Sequence, residues 1–149
     1  MRRTLLIAFI LAVIAQVAVQ GPAGAAAREA GFAVIVHPDV QGNQIPRAIL
    51  SSLFLRDVVR WKSGDMVRPV DQSLSSPLRE TFTRNVLSVP IDGVPRFWHA
   101  KIMRGISPPP VKSSDAEVVE YVATTEGAIG YVSVDAAVPA TVKELDVID

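Results

Sequence analysis

Hydroxyl and guanidinium groups gather at one predicted helix start. Ser75 and Ser76 come directly before Pro77, and Arg79 follows two residues later. The free N–H groups and the positive dipole end of a helix favour an anion at such a point. Serine hydroxyls donate further hydrogen bonds, and an arginine forms a charge-assisted pair with an oxyanion. The segment is therefore a candidate oxyanion site, with an ordinary N-cap beside a solvated arginine as the alternative that stays open.

Strands and helices alternate around this segment. Residues 32–36 predict a buried strand, residues 128–134 a second strand and residues 142–148 a weaker third one. Residues 66–70 predict a strand that Pro69 limits to an edge or a strand end. Helices are predicted at residues 46–55, from Ser76–Pro77 to about residues 87–88, from Pro95 to Gly105, and from Ser114 to Gly127. This alternation predicts an α/β fold in one domain.

Composition excludes several classes of protein. The chain has 149 residues, no cysteine, and 15 Lys and Arg against 15 Asp and Glu. A disulfide scaffold and a thiolate metal site both need cysteine, and the even charge balance argues against a polybasic nucleic-acid arm. Apolar residues make up 49% of the chain, which argues against disorder.

The N-terminus predicts an export signal. Arg2 and Arg3 precede an apolar run at residues 5–19, and a small-residue stretch follows at residues 23–27. A spanning helix needs about 20 apolar residues, so we expect a cleaved signal rather than a membrane anchor. We predict a signal peptide at residues 1–27 and a mature domain at residues 28–149, with cleavage after Ala25 as the alternative. The mature protein is then periplasmic and slightly acidic.

Other chemically capable residues favour structural roles. His37 and His99 stand alone, without a cluster of further metal ligands, so we predict no metal site. Ser113 and Ser114 precede Glu117 and fit a capping box better than a second anion site. We interpret Trp61 and Trp98 as core anchors rather than as the lining of a ligand groove. The chain contains no P-loop and no G-x-G-x-x-G, G-x-S-x-G or H-E-x-x-H motif, so we predict neither an enzyme nor a cofactor.

Four segments carry a resemblance to a known family. They are residues 49–61 (ILSSLFLRDVVRW) with the Lys62-Ser63-Gly64-Asp65 turn, residues 70–82 (VDQSLSSPLRETF), Phe97-Trp98 with Gly105, and residues 114–132 (SDAEVVEYVATTEGAIGYV). In this order and spacing, the chain resembles the small phosphate-binding-protein-like domains of bacteria. These are relatives of the substrate-binding component of the ABC phosphate transporter, in the type 2 periplasmic binding-protein superfamily. The resemblance implies a three-layer lobe with a mixed sheet flanked by helices.

The resemblance also implies a ligand set at the turn before the predicted helix. Its members would be Ser75, Ser76 and Arg79, together with Gln72 and Ser73. Gln72 stands where the receptors have an arginine, Pro77 replaces a glycine and Leu78 replaces a threonine. These departures remove a charge, a backbone donor and a hydroxyl. We therefore expect anion binding to be weaker than in a full receptor, or lost.

The size of the chain bears on its partners. Full receptors of this family clamp the ligand between two lobes, whereas this chain has material for one lobe or a much reduced pair. A second copy in a homodimer, a transporter permease or another envelope protein would supply the missing surface. The function that the resemblance implies is binding of inorganic phosphate or a similar oxyanion in connection with transport. The alternative is a decayed binding lobe that acts as a periplasmic protein-interaction module.

Overall fold

Phe32–Val36 forms the central strand, β1, of a five-stranded sheet, and all five of its residues are buried. The computed structural model describes residues 25–149. The other strands are β2 (Gln44–Pro46), β3 (Arg68–Pro69), β4 (Asp71–Gln72), β5 (Val111–Lys112), β6 (Ala128–Ser133) and β7 (Lys143–Ile148). The helices are α1 (Ala25–Glu29), α2 (Arg47–Phe54), α3 (Pro77–Phe82), α4 (Val94–Ile102) and α5 (Asp115–Thr124), with a π-helical turn at Thr83–Leu87 and a 3-10 turn at Ile91–Gly93.

The large sheet is mixed, with the strand order β2-β7-β1-β6-β3. β1 pairs antiparallel with both β6 and β7, whereas β2 pairs parallel with β7 and β3 pairs parallel with β6. β4 and β5 form a separate parallel pair. β3 therefore lies at an edge of the sheet, as Pro69 predicted, since proline cannot donate to a neighbouring strand.

Alternate residues of β1 pack on opposite faces of the sheet. Phe32 and Val34 belong to the core beneath α2 and α3, whereas Ala33 and Ile35 belong to the core beneath α5. β6 follows the same rule, because its side chains also alternate between faces. A mixed sheet covered by helices on both faces is a three-layer α/β fold, which confirms the predicted fold class.

The predicted helices and strands are present with shifted ends, whereas α1, β2, β4 and β5 were not predicted. The helix predicted at residues 46–55 is α2, and the helix predicted to end near Ser88 is α3 with its π-helical continuation. The predicted strand at residues 66–70 is wrong in length, because only Arg68–Pro69 pairs with β6. Before β3, Arg60 and Met66 form an isolated antiparallel bridge.

The predicted export signal falls mainly outside the described residues, which begin at residue 25. The predicted cleavage position after Ala27 lies within α1 (Ala25–Glu29). Within residues 25–149, no helix combines the length and the apolar character needed to cross a membrane.

Candidate functional site

The turn between β4 and α3 brings the predicted hydroxyl groups together. We call residues 72–78 the serine turn. The Ser73 and Ser75 hydroxyl oxygens lie 2.9 Å apart, and the Ser76 N–H donates to the Ser73 carbonyl oxygen at 2.9 Å. The Ser73 N–H donates to the Lys112 carbonyl oxygen of β5 at 3.0 Å, which fixes the start of the turn to the small sheet. Ser75 is exposed, and Ser73 and Ser76 are half-buried.

The first turn of α3 lacks a side-chain cap. Ser76 occupies the N-cap position, but its side chain makes no capping hydrogen bond. Its hydroxyl instead donates to Gln72 Oε1 at 3.1 Å. Pro77 has no N–H, so Leu78 and Arg79 carry the first backbone donors of the helix. The ordinary serine cap that the sequence left open as the alternative is therefore absent at this helix.

Arg79 points into the protein rather than toward the serine turn's exposed surface. Its side chain is 4% exposed, and its Nη1 lies 2.8 Å from Asp71 Oδ2. The same nitrogen donates to the Gln72 carbonyl oxygen at 2.7 Å. The guanidinium therefore ties α3 to β4, and Asp71 compensates its charge. The predicted contribution of Arg79 to an anion site is correspondingly small, because its charge is already paired.

Asp71 is the centre of a buried polar network that the sequence analysis missed. Its Oδ1 accepts hydrogen bonds from the Gln72 N–H at 2.8 Å and from the Tyr131 hydroxyl. Burial raises the pKa of Asp71 above its usual value, while the Arg79 guanidinium acts in the opposite direction. The feature that could have revealed Asp71 is a carboxylate directly after Val70, in a segment that enters the core. A buried carboxylate needs a cationic or hydrogen-bonding partner, which the nearby Arg79 and Tyr131 supply.

Gln72 joins the serine turn to two other elements. Its Nε2 donates to the Tyr131 carbonyl oxygen of β6 at 3.1 Å and to Asp115 Oδ1 at the start of α5 at 2.8 Å. Asp115 Oδ2 accepts a hydrogen bond from the Ser133 N–H at 3.2 Å. The amide of Gln72 therefore serves as a structural clamp, and both of its polar atoms already have partners in the protein.

Tyr131 makes the stability of the fold sensitive to alkaline pH. Burial and the neighbouring Asp71 raise the pKa of its hydroxyl above the ordinary value of 10.0. Above that pH the unfolded chain loses a proton that the folded chain keeps, so stability falls as pH rises, by about 1.4 kcal/mol per pH unit. Urea unfolding between pH 9 and 11 should show a steeper loss for the natural protein than for Tyr131→Phe. Equal slopes for the two proteins would contradict this assignment.

The remaining candidates have structural contacts. Trp61 is partly buried, and its Nε1 donates to the Gly127 carbonyl oxygen at 3.0 Å. Trp98 meets Phe97 edge to face, with ring centroids 5.2 Å apart, and it belongs to neither core cluster, so its interpretation as a core anchor is wrong. Ser114 Oγ accepts a hydrogen bond from the Glu117 N–H at 3.3 Å, which confirms the predicted cap of α5. Among the described residues, no group of three or more histidines and carboxylates is placed to hold a metal ion.

Comparison of structures finds the same fold in phosphate receptors of bacteria. An ABC-type phosphate transport receptor from Vibrio cholerae matches with a TM-score of 0.62 and 17% identity, over 78% of this chain and 46% of the receptor. A phosphate ABC transporter substrate-binding protein from Clostridium perfringens, solved with bound phosphate, matches with a TM-score of 0.63 and 16% identity, over 78% and 44% of the two chains. PstS from Borrelia burgdorferi matches with a TM-score of 0.62 and 16% identity, over 78% of this chain and 47% of PstS.

These matches confirm the resemblance inferred from the sequence at the level of the fold. The chain has the fold of substrate-binding proteins of phosphate ABC transporters. It spans less than half the length of each of these structures. No protein-family model and no curated protein matches the sequence.

Proposed function

We propose that the chain is an exported, periplasmic, non-enzymatic solute-binding protein that binds phosphate or another oxyanion at the serine turn, in connection with a transport system. The observation that carries the proposal is the uncapped start of α3. Ser76 turns its hydroxyl to Gln72 and leaves the first-turn N–H groups without a side-chain cap. The Ser73 and Ser75 hydroxyls lie 2.9 Å apart on the same turn. The fold shared with phosphate receptors supports this ligand class.

The charge balance limits the affinity of this site. Arg79 is already paired with Asp71, so the donors available to an anion are neutral hydroxyl and N–H groups. Hydrogen bonds from neutral donors are weaker than charge-assisted ones, by roughly half. We therefore propose weaker binding than in a receptor that presents a free arginine. A transporter permease, another envelope protein or a second copy would cover the open side of the turn.

Thermal unfolding across a phosphate titration tests this proposal. Phosphate at 100 times its dissociation constant should stabilise the protein by about 2.7 kcal/mol, whereas chloride should not. Sulfate serves as the competing oxyanion and reports the selectivity. The Ser75→Ala/Ser76→Ala double variant should lose the stabilisation. Ser107→Ala, which alters an exposed serine outside the turn, is the matched control and should keep it. An unchanged unfolding temperature at millimolar phosphate would contradict oxyanion binding.

A second candidate function is supported by the apolar residues beside the turn. Leu74 is 55% exposed and Val111 is 57% exposed, and Val111 pairs with Asp71 in the β4–β5 register. With Arg79 compensated, this surface suits a decayed binding lobe that docks onto another envelope protein. Such a complex would form without phosphate, would be lost in Leu74→Asp and would survive in Ser75→Ala/Ser76→Ala. A chain that stays monomeric and partner-free in pull-downs would contradict this alternative.

A further inference from the structure

A groove with apolar walls lies at the edge of the large sheet, beside α2. Its volume is about 470 Å³, within the range of about 300–1,000 Å³ found for small-molecule sites. The apolar lining comes from β2, from α2, from the segment that follows α2, and from β7. It includes Ile45, Ile49, Leu53, Val58, Trp61 and Leu145.

The polar lining of the groove has one sign of charge. Arg60 and Lys62 line it, and no aspartate or glutamate does so among the described residues. Both cations are exposed, and neither forms an ion pair within residues 25–149. Arg60 Nη1 donates only to the Gly64 carbonyl oxygen, at 2.8 Å. The groove therefore combines apolar walls with two positive charges that form no ion pair within the described residues.

We propose that this groove binds an amphiphilic anion, a small molecule with an apolar body and a carboxylate or similar head group. The apolar body would contact Ile49, Val58 and Trp61, and the head group would lie near Arg60 and Lys62. Trp61 packs against the core as predicted, but it also lines this groove, which the sequence analysis did not expect. It is suited to such a wall because its only polar side-chain atom, Nε1, is already bonded to the Gly127 carbonyl oxygen. The ring therefore offers apolar surface to the groove without leaving a buried donor unpaired.

The groove is separate from the serine turn. Trp61 contacts Gly127, directly before β6, whereas Gln72 contacts Tyr131, four residues further along that strand. Four residues of extended strand span about 13 Å. The two sites therefore lie toward different ends of β6, and the groove proposal does not depend on oxyanion binding at the turn.

Titration with decanoate below its micelle concentration tests the proposal. Fluorescence should be followed in a Trp98→Phe background, so that Trp61 is the only tryptophan. We expect saturable binding of decanoate and no saturable binding of decyltrimethylammonium, which has the same chain and the opposite charge. Arg60→Glu/Lys62→Glu should weaken decanoate binding by about tenfold, because two exposed attractions become repulsions. Ile49→Asp should weaken it similarly; Ile49 is 43% exposed, so this variant should still fold.

Two matched variants control for net charge and for loss of an exposed apolar residue. Arg96→Glu/Arg104→Glu makes the same charge change outside the groove, on α4 and in the turn that follows it. Ile102→Asp replaces an apolar residue at the end of α4 that is 52% exposed. Both should bind decanoate like the parent. Equal binding of the two amphiphiles, unchanged affinity in Arg60→Glu/Lys62→Glu, or no decanoate binding would overturn the proposal. A dimer in sedimentation that Ile49→Asp converts to monomer would also overturn it, because a second copy would then cover the groove.

Discussion

Replacing Asp71 with alanine is expected to lower the free energy of unfolding by about 3–5 kcal/mol, because the change strands a buried positive charge. The side chains of Asp71 and Arg79 are 5% and 4% exposed, with 2.8 Å between Asp71 Oδ2 and Arg79 Nη1. The Arg79 Nε is already buried without a partner, so the guanidinium has little to replace the lost carboxylate. The Tyr131 hydroxyl and the Gln72 N–H lose their acceptor in the same variant. Urea unfolding monitored by circular dichroism measures the loss.

An exposed ion pair provides the control for the buried Asp71–Arg79 pair. Arg84 and Glu80 lie one helical turn apart at 2.6 Å, and their side chains are 67% and 53% exposed. Exposed pairs of this kind contribute about 0.3–0.5 kcal/mol. Arg84→Ala should therefore change stability far less than Asp71→Ala. Similar losses in the two variants would show that water screens the Asp71–Arg79 pair, contrary to its burial.

A double variant that removes both buried charges separates two effects on stability. One is the contribution of the intact ion pair, and the other is the penalty for leaving Arg79 buried without its carboxylate. In Asp71→Leu/Arg79→Met the stranded guanidinium is absent and the volume is largely kept. Replacement of a buried ion pair by apolar residues of similar volume is often neutral or stabilising. We expect the double variant to be more stable than Asp71→Ala, with a remaining loss from the unpaired Tyr131 hydroxyl. A double variant as unstable as Asp71→Ala would mean that the network matters beyond its charges.

The regular elements could be predicted because their local chemistry agrees with their packing. The five apolar residues of β1 required burial on both faces, and Ser114 with Glu117 marked the start of α5. The short strands were predicted less well: β3 lies inside the longer strand predicted at residues 66–70, and β4 and β5 were not predicted. β3 and β4 contain two residues each and owe their existence to the strands they meet, β6 and β5. Two residues carry no periodicity, so only the tertiary structure defines such strands.

The composition of the serine turn was also visible in the sequence, but the direction of its side chains was not. Ser73, Ser75 and Ser76 lie on one turn, as predicted. Arg79 pairs with Asp71, and Gln72 bonds to Asp115 and Tyr131. Asp115 and Tyr131 each lie more than 40 residues from Gln72 in the chain. Contacts over such separations leave no local pattern. The oxyanion site itself remains a prediction that the phosphate titration tests.

Gly127 is the second position at which one substitution should have a large effect. Its φ is +73°, a conformation that costs other residues about 1–2 kcal/mol. A Cβ at this position would also overlap the carbonyl oxygen of Met66, a backbone atom that no rotamer change can move away. We therefore expect Gly127→Ala to lower the free energy of unfolding by at least about 3 kcal/mol, as backbone strain and a steric overlap combine.

Substitution of Gly105 separates backbone strain from steric overlap, because the φ of Gly105 is +79° and nothing lies within 4 Å of a Cβ built there. Gly105→Ala should show the conformational penalty alone, and the difference between the two variants measures the overlap with Met66. Relief of that overlap requires Met66 to move away from Gly127, whose carbonyl oxygen accepts the hydrogen bond from Trp61 Nε1. Gly127→Ala should therefore also shift Trp61 fluorescence in the Trp98→Phe background, whereas Gly105→Ala should not. Equal losses of stability in the two variants would mean that the segment containing Met66 moves away from Gly127 at no cost in free energy. The groove beside Trp61 would then have a flexible wall, and its selectivity for an amphiphilic anion would depend on Arg60 and Lys62 more than on its shape.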